Sequence, residues 1–138
     1  MSELFSAMTI SASGMKAQSS RIKVISENLA NADTAAETKD SKPYTRQRIM
    51  FKNVLDREIE GQKVEVSRID QDTKKAYPLK YMPDHPGADE NGYVRMPNVD
   101  TLIETMDMRE AQRSYEANLG MIDQSRNMIM QTIDILRR

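Results

Sequence analysis

The pattern of apolar and polar positions divides the chain into two long periodic ends and a middle of different character. From Met108, the residues Gln112, Tyr115, Leu119, Ile122, Arg126, Ile129, Ile133 and Leu136 follow at alternating steps of four and three. That spacing returns one face of a helix about every 3.5 residues, the stripe a helix buries against another helix. The stretch that carries it, Asn98 to Arg138, has no proline and one glycine, Gly120. Asn98 or Asp100 is a candidate N-cap, and Asp100 and Glu104 put acid in the first turn. Arg137 and Arg138 put cations at the far end, as the helix dipole favours. Met1 to Ala32 repeats the design, with Leu4, Met8, Met15, Ile22, Ile25, Leu29 and Ala32 on the stripe, Ser11 and Gln18 filling two of its positions, and Ser2 as a candidate cap. Gly14 costs about 1 kcal/mol against alanine inside a helix. It sits in a patch of small residues (Ala12, Ser13, Ala17, Ser19, Ser20) that lets another backbone come close. Periodicity alone fits two arrangements, an ordinary monomeric bundle or helices that pack in an assembly.

Asn28 to Thr34 reads as the exit of the first helix, because asparagine tolerates the left-handed conformation and Asp and Thr favour turns. Ala35 to Lys42 is polar and reads as loop. All five prolines fall between Pro43 and Pro97. Tyr44 to Phe51 and Val64 to Ser67 alternate and predict short strands. Gly61-Gln62 predicts a hairpin turn, and Asn53 to Glu60 a helical turn or loop. Tyr77 to Met82 and Tyr93 to Met96 are further extended candidates, the second following the turn pair Asn91-Gly92. With few large apolar residues, this β-rich insert has a small core.

Composition narrows the chemistry. The 138 residues have room for about one domain, and the absence of cysteine excludes disulfides and thiolate metal sites. Charge is nearly balanced, 20 basic against 21 acidic residues, with no basic block to hold nucleic acid. No apolar run is long enough for direct membrane insertion, and the N-terminus lacks the basic and apolar regions of a cleavable signal peptide. His85, the only histidine, has Asp84, Asp89 and Glu90 nearby, but the spacing matches no zinc or calcium pattern, and a rigid surface loop is the better reading. No catalytic serine element, phosphate loop or dinucleotide fingerprint occurs, so neither an enzyme nor a cofactor is expected. Methionine is in excess. Met8, Met15, Met106, Met108, Met121, Met128 and Met130 lie on the helical ends, either as core or as an adaptable contact surface.

Several segments converge on a resemblance. Ser13-Gly14-Met15 with Ala17-Gln18, then Glu27-Asn28-Leu29-Ala30-Asn31-Ala32-Asp33-Thr34, look like the N-terminal signature of the flagellar rod and hook axial proteins. Glu104-Thr105-Met106-Asp107-Met108 and Glu110 to Asn118, with Tyr115, Glu116 and Asn118, look like their C-terminal signature. Pro43-Tyr44-Thr45-Arg46-Gln47, and Asp89-Glu90-Asn91-Gly92-Tyr93-Val94 with Pro97-Asn98-Val99, narrow the resemblance to the proximal rod members. Gly87 departs from the pattern, which leads one to expect an acidic residue there.

The resemblance implies a mainly α fold with a small β-rich insert. The helices of 1–33 and 98–138 would pair as an antiparallel coiled coil and form a discontinuous assembly domain, with 34–97 as an outer module. Leu4, Met8, Met15, Ile22, Ile25 and Leu29 would form one assembly seam, and Met108, Tyr115, Leu119, Ile122, Ile129, Ile133 and Leu136 the other. It implies a structural subunit of the basal-body rod, in a helical tube that transmits motor torque across the periplasm. The subunit would be exported through the flagellar type III apparatus without a cleaved signal peptide. Partners would be other rod proteins and further copies of the chain, with rod-base and export-gate components beyond. The competing expectation is a helical adaptor or chaperone-like binding module, or another axial family member.

Overall fold

The structure, a computed structural model, describes residues 2–137; Met1 and Arg138, expected at the two helix ends, lie outside the described residues. Along the chain come α1 (Ser2–Ala30), β1 (Gln47–Asp56), β2 (Gly61–Gln71), β3 (Leu79–Tyr81), β4 (Tyr93–Arg95) and α2 (Thr101–Leu136). The fold is mainly α with a small β part, two two-stranded sheets ordered β1-β2 and β3-β4. Both expected helices form. Ser2 lies inside α1 instead of capping it. At the other end Asn31 closes the helix, its main-chain N–H and its side-chain amide both donating to the Glu27 carbonyl. Asp100 caps α2, its Oδ1 accepting the N–H groups of Leu102 and Ile103. That leaves Asn98, the other candidate cap, free for a different task.

The ribbon of β1 and β2 is longer than the alternation predicts. Asn53 to Asp56, expected as turn or loop, is strand, and the turn falls at 57–60. Cross-strand charge pairs extend the pairing: Lys52 with Glu65 at 3.7 Å, and Lys63 with Asp56. Glu60 takes the left-handed conformation of the turn (φ 50°). Gly61 already belongs to β2, and its missing Cβ is used for packing, since a methyl there would stand 2.8 Å from Ile10 Cδ1. Tyr44 to Arg46, expected to begin the first strand, lies outside it; the Arg46 N–H donates to the Asn98 amide oxygen, and the Arg46 carbonyl accepts the Asp72 N–H.

The chain divides into two compact units, one made of residues up to 22, 50–68 and from 109, the other of 23–49 and 69–108. In the first, a Cβ on Gly14 would meet the Asn118 amide at 2.8 Å, Arg21 reaches Glu110 at 3.5 Å, and Ser13 Oγ accepts the Val64 N–H. In the second, β3 and β4 pair antiparallel with Lys80 opposite Val94, and Val94 is fully buried. The 82–92 connection is closed by Asp89, whose Oδ1 accepts the N–H groups of Asn91 and Tyr93. Gly92 in that turn has φ 83°, and a Cβ would stand 2.8 Å from the Tyr81 ring. Tyr93 is exposed and packs edge-on against Tyr81 with centroids 5.4 Å apart, so Val94 is the apolar anchor of this hairpin.

Candidate functional site

The second unit encloses a polar knot that brings the expected signature segments together. Asn28, from the end of α1, is 1 % exposed and uses all of its amide. Its Nδ2 donates to the Gln47 carbonyl and to Glu104 Oε2, and its Oδ1 accepts the Gln47 N–H and the Tyr44 hydroxyl. The side chain thus pairs with both main-chain groups of Gln47, as a neighbouring strand would. Asn98 takes the N–H of the residue before and ties it to a second segment. Its Oδ1 accepts the Arg46 N–H, and its Nδ2 donates to the carbonyls of Asp72 and Lys75. Two buried amides therefore bracket the entry to β1. An aspartate at either place would lose the donors.

Glu104, in the first turn of α2, is also 1 % exposed. One carboxylate oxygen accepts from Asn28, and the other accepts a short hydrogen bond from Arg46 Nε. The same guanidinium lies 3.8 Å from Asp72 and 3.8 Å from Asp107. Burying a carboxylate costs several kcal/mol unless it is paired and hydrogen-bonded, and both conditions are met here. Burial pushes the Tyr44 phenol above its ordinary pKa, and the carboxylates of Glu27 and Glu104 push it in the same direction. Thr45 adds a 2.6 Å hydroxyl contact to Tyr77. The arrangement holds three segments of backbone in place. Among the described residues no group of three His, Asp or Glu side chains is placed to hold a metal ion. His85 Nδ1 accepts the Gly87 N–H, and Gly87 itself is packed so tightly that a Cβ would stand 2.1 Å from the Ala36 carbonyl oxygen.

Of the residues expected on the α1 seam, Ile25 is buried and Leu4, Met8, Met15, Ile22 and Leu29 are half-buried. On α2 the stripe is divided. Met108, Tyr115, Ile122 and Ile129 are half-buried, but Gln112, Leu119, Arg126, Ile133 and Leu136 are exposed. The protected positions between are Glu104, Ala111, Asn118, Ser125 and Thr132, one residue earlier in each heptad, with Ala111 fully buried. Gly14 comes close on this face, where a Cβ would stand 2.8 Å from the Asn118 amide, and Leu119 beside it is exposed. Of the other signature residues, Asn31 stays in the α1 exit and Pro97 is buried beside Asn98. Glu90 meets Lys39 at 3.0 Å, and Glu116 is exposed. Of the knot members, Tyr44, Arg46 and Glu104 stand in the signature segments, though nothing local marks them as partners of one another, and Asp72 is the one the sequence reading did not single out.

Comparison with known proteins agrees at both ends. Residues 8–35 match the family model for the flagella basal body rod protein, and residues 90–135 that for the flagellar basal body rod FlgEFG protein C-terminal. The class is therefore that of the flagellar rod proteins, whose matched regions hold Asn28 and Glu104. The flagellar basal-body rod protein FlgC of Agrobacterium fabrum is 42 % identical over 137 residues, 99 % of this chain and 98 % of that one. The FlgC proteins of Borreliella burgdorferi and Salmonella typhimurium are 40 % and 34 % identical, covering 97 % and 96 % of this chain and 98 % and 97 % of theirs. The chain belongs to the FlgC family of flagellar basal-body rod proteins.

Proposed function

We propose that the chain is a structural subunit of the proximal rod of the bacterial flagellar basal body, joining a helical tube that transmits motor torque for motility. The observation that carries this is near full-length likeness to FlgC proteins, with both ends matching rod families. Its role is mechanical, and the adaptor or chaperone reading is set aside. The terminal helices pair as an antiparallel coiled coil. Support comes from the contacts Gly14–Asn118, Arg21–Glu110 and Asn28–Glu104, in which residues earlier in α1 meet residues later in α2. Residues 1–33 and 98–138 form the assembly domain, and 34–97 the outer module. The exposed half of the α2 stripe, Leu119, Ile133 and Leu136, is then the part of the assembly seam that neighbouring subunits cover. Those neighbours are other rod proteins and further copies of the chain, with rod-base and export-gate components at the inner end, and the subunit reaches the rod through the flagellar type III apparatus. The test is deletion of the gene followed by purification of basal bodies. Loss of swimming, and the chain present in wild-type basal bodies at stoichiometric amounts, are expected. Normal swimming, or a chain recovered only outside basal bodies, overturns the reading.

A further inference from the structure

Resting on the reading of α1 and α2 as an antiparallel pair, we propose that the knot of Asn28, Glu104 and Arg46 sets the register of that pair. The packing face of α2 nearly repeats every seven residues. Met108, Tyr115, Ile122 and Ile129 form one series and Ala111, Asn118, Ser125 and Thr132 the other. On α1 the matching positions are Ala7, Gly14 and Arg21. On α2 a slide by one heptad, about 10 Å along the axis, exchanges large for large and small for small, so that face by itself discriminates weakly between registers; on α1 the slide sets Ala7 or Arg21 where Gly14 now meets Asn118.

Glu104 breaks the repeat. It occupies the small-residue series, seven before Ala111, with both oxygens bonded inside the fold. A slide that sets Asn28 against Ala111 separates it from Glu104 and leaves the carboxylate without its amide donor. The opposite slide sets Arg21 against Glu104 and draws the carboxylate away from Asn28. The insert reads the register as well, because Arg46 and the main chain of Gln47 meet Glu104 and Asn28 only in the observed alignment. Buried polar groups are known to fix helix register in this way, at a cost in stability.

The chain has no cysteine, so introduced pairs read the register without background. In the full-length protein, R21C/E110C reports the observed alignment, while R21C/A117C and R21C/I103C report slides of one heptad in either direction. The probe is a bis-maleimide shorter than the slide, and cross-links are mapped by mass spectrometry. With Glu104 in place only the first pair is expected to react. Glu104→Ala, which makes position 104 match Ala111, is expected to raise a shifted cross-link at least tenfold. If that variant loses its helical circular dichroism, Glu104→Gln replaces it; this keeps an oxygen for Arg46 but opposes an amide to the Asn28 amide, and the same rise is expected. A single unshifted cross-link in a folded Glu104 variant overturns the proposal. Failure of R21C/E110C to react with Glu104 in place overturns the helix pairing itself.

Discussion

At Asn28 one side chain satisfies four partners, and its value depends on being an amide. Asn28→Asp preserves the shape but removes both donors and sets a second carboxylate beside Glu104. A loss on the order of 3 kcal/mol is expected, read as a lower urea midpoint at unchanged m-value. Asn31→Asp, at a half-buried position on the helix exit, is expected to cost less than 1 kcal/mol. Tyr44, bonded to the same amide, gives a pH signature. Its phenol is raised by burial first and then by Glu27 and Glu104, so the fold prefers the protonated form. The stability this contributes is complete below the unfolded tyrosine pKa and is lost as pH rises through the higher folded value. Ultraviolet titration should show a tyrosine that ionises above the ordinary phenol pKa, and Tyr44→Phe should abolish that late component. A Tyr44→Phe titration identical to wild type would contradict the assignment. Asn28 and Asn98 were visible as signature residues in the sequence. Their pairing with Gln47 and Arg46 was not, because nothing local tells a turn asparagine from one that reaches across the fold.

The two helices were legible as elements, since a 3.5-residue stripe without proline over this length has no other regular use. Which edge of the stripe on α2 turns inward was not legible. Hydrophobicity favours Leu119 over Asn118, but the approach of the Gly14 backbone favours the smaller partner. The consequence is measurable with adjacent substitutions. Ala111→Leu forces three extra heavy atoms into a fully buried position and is expected to destabilise by about 1–3 kcal/mol. Gln112→Leu, on the exposed neighbour, should lie within about 0.5 kcal/mol of wild type. Thermal unfolding of the purified variants decides it, and equal losses would return the inner face to the unshifted stripe. The β ribbon shows the same limit. Its length follows from cross-strand pairs such as Lys52 with Glu65, which alternation within one strand cannot reveal.

For the whole molecule, folding and assembly draw on different residues. Leu119 is 42 % exposed in the single chain, so Leu119→Asp should leave its unfolding midpoint nearly unchanged and yet stop swimming, because a neighbour would bury the new charge. Ile129→Asp, at a half-buried position, should lower both stability and motility. Normal swimming by Leu119→Asp at wild-type expression would place that face in solvent in the assembled state. By itself the sequence determined the two helices, the polar exits and turns, the lack of cysteine chemistry and the family resemblance. These depend on spacing, conformational preference and residue type, which are local. Only the tertiary structure decided that Asn98 brackets a strand entry while Asp100 caps the helix, that Val94 and not Tyr93 anchors the small hairpin, and that Glu104 is buried. Each of those outcomes turns on whether a distant segment arrives with the matching hydrogen-bonding group or the room for a side chain, and separation along the chain carries no record of that.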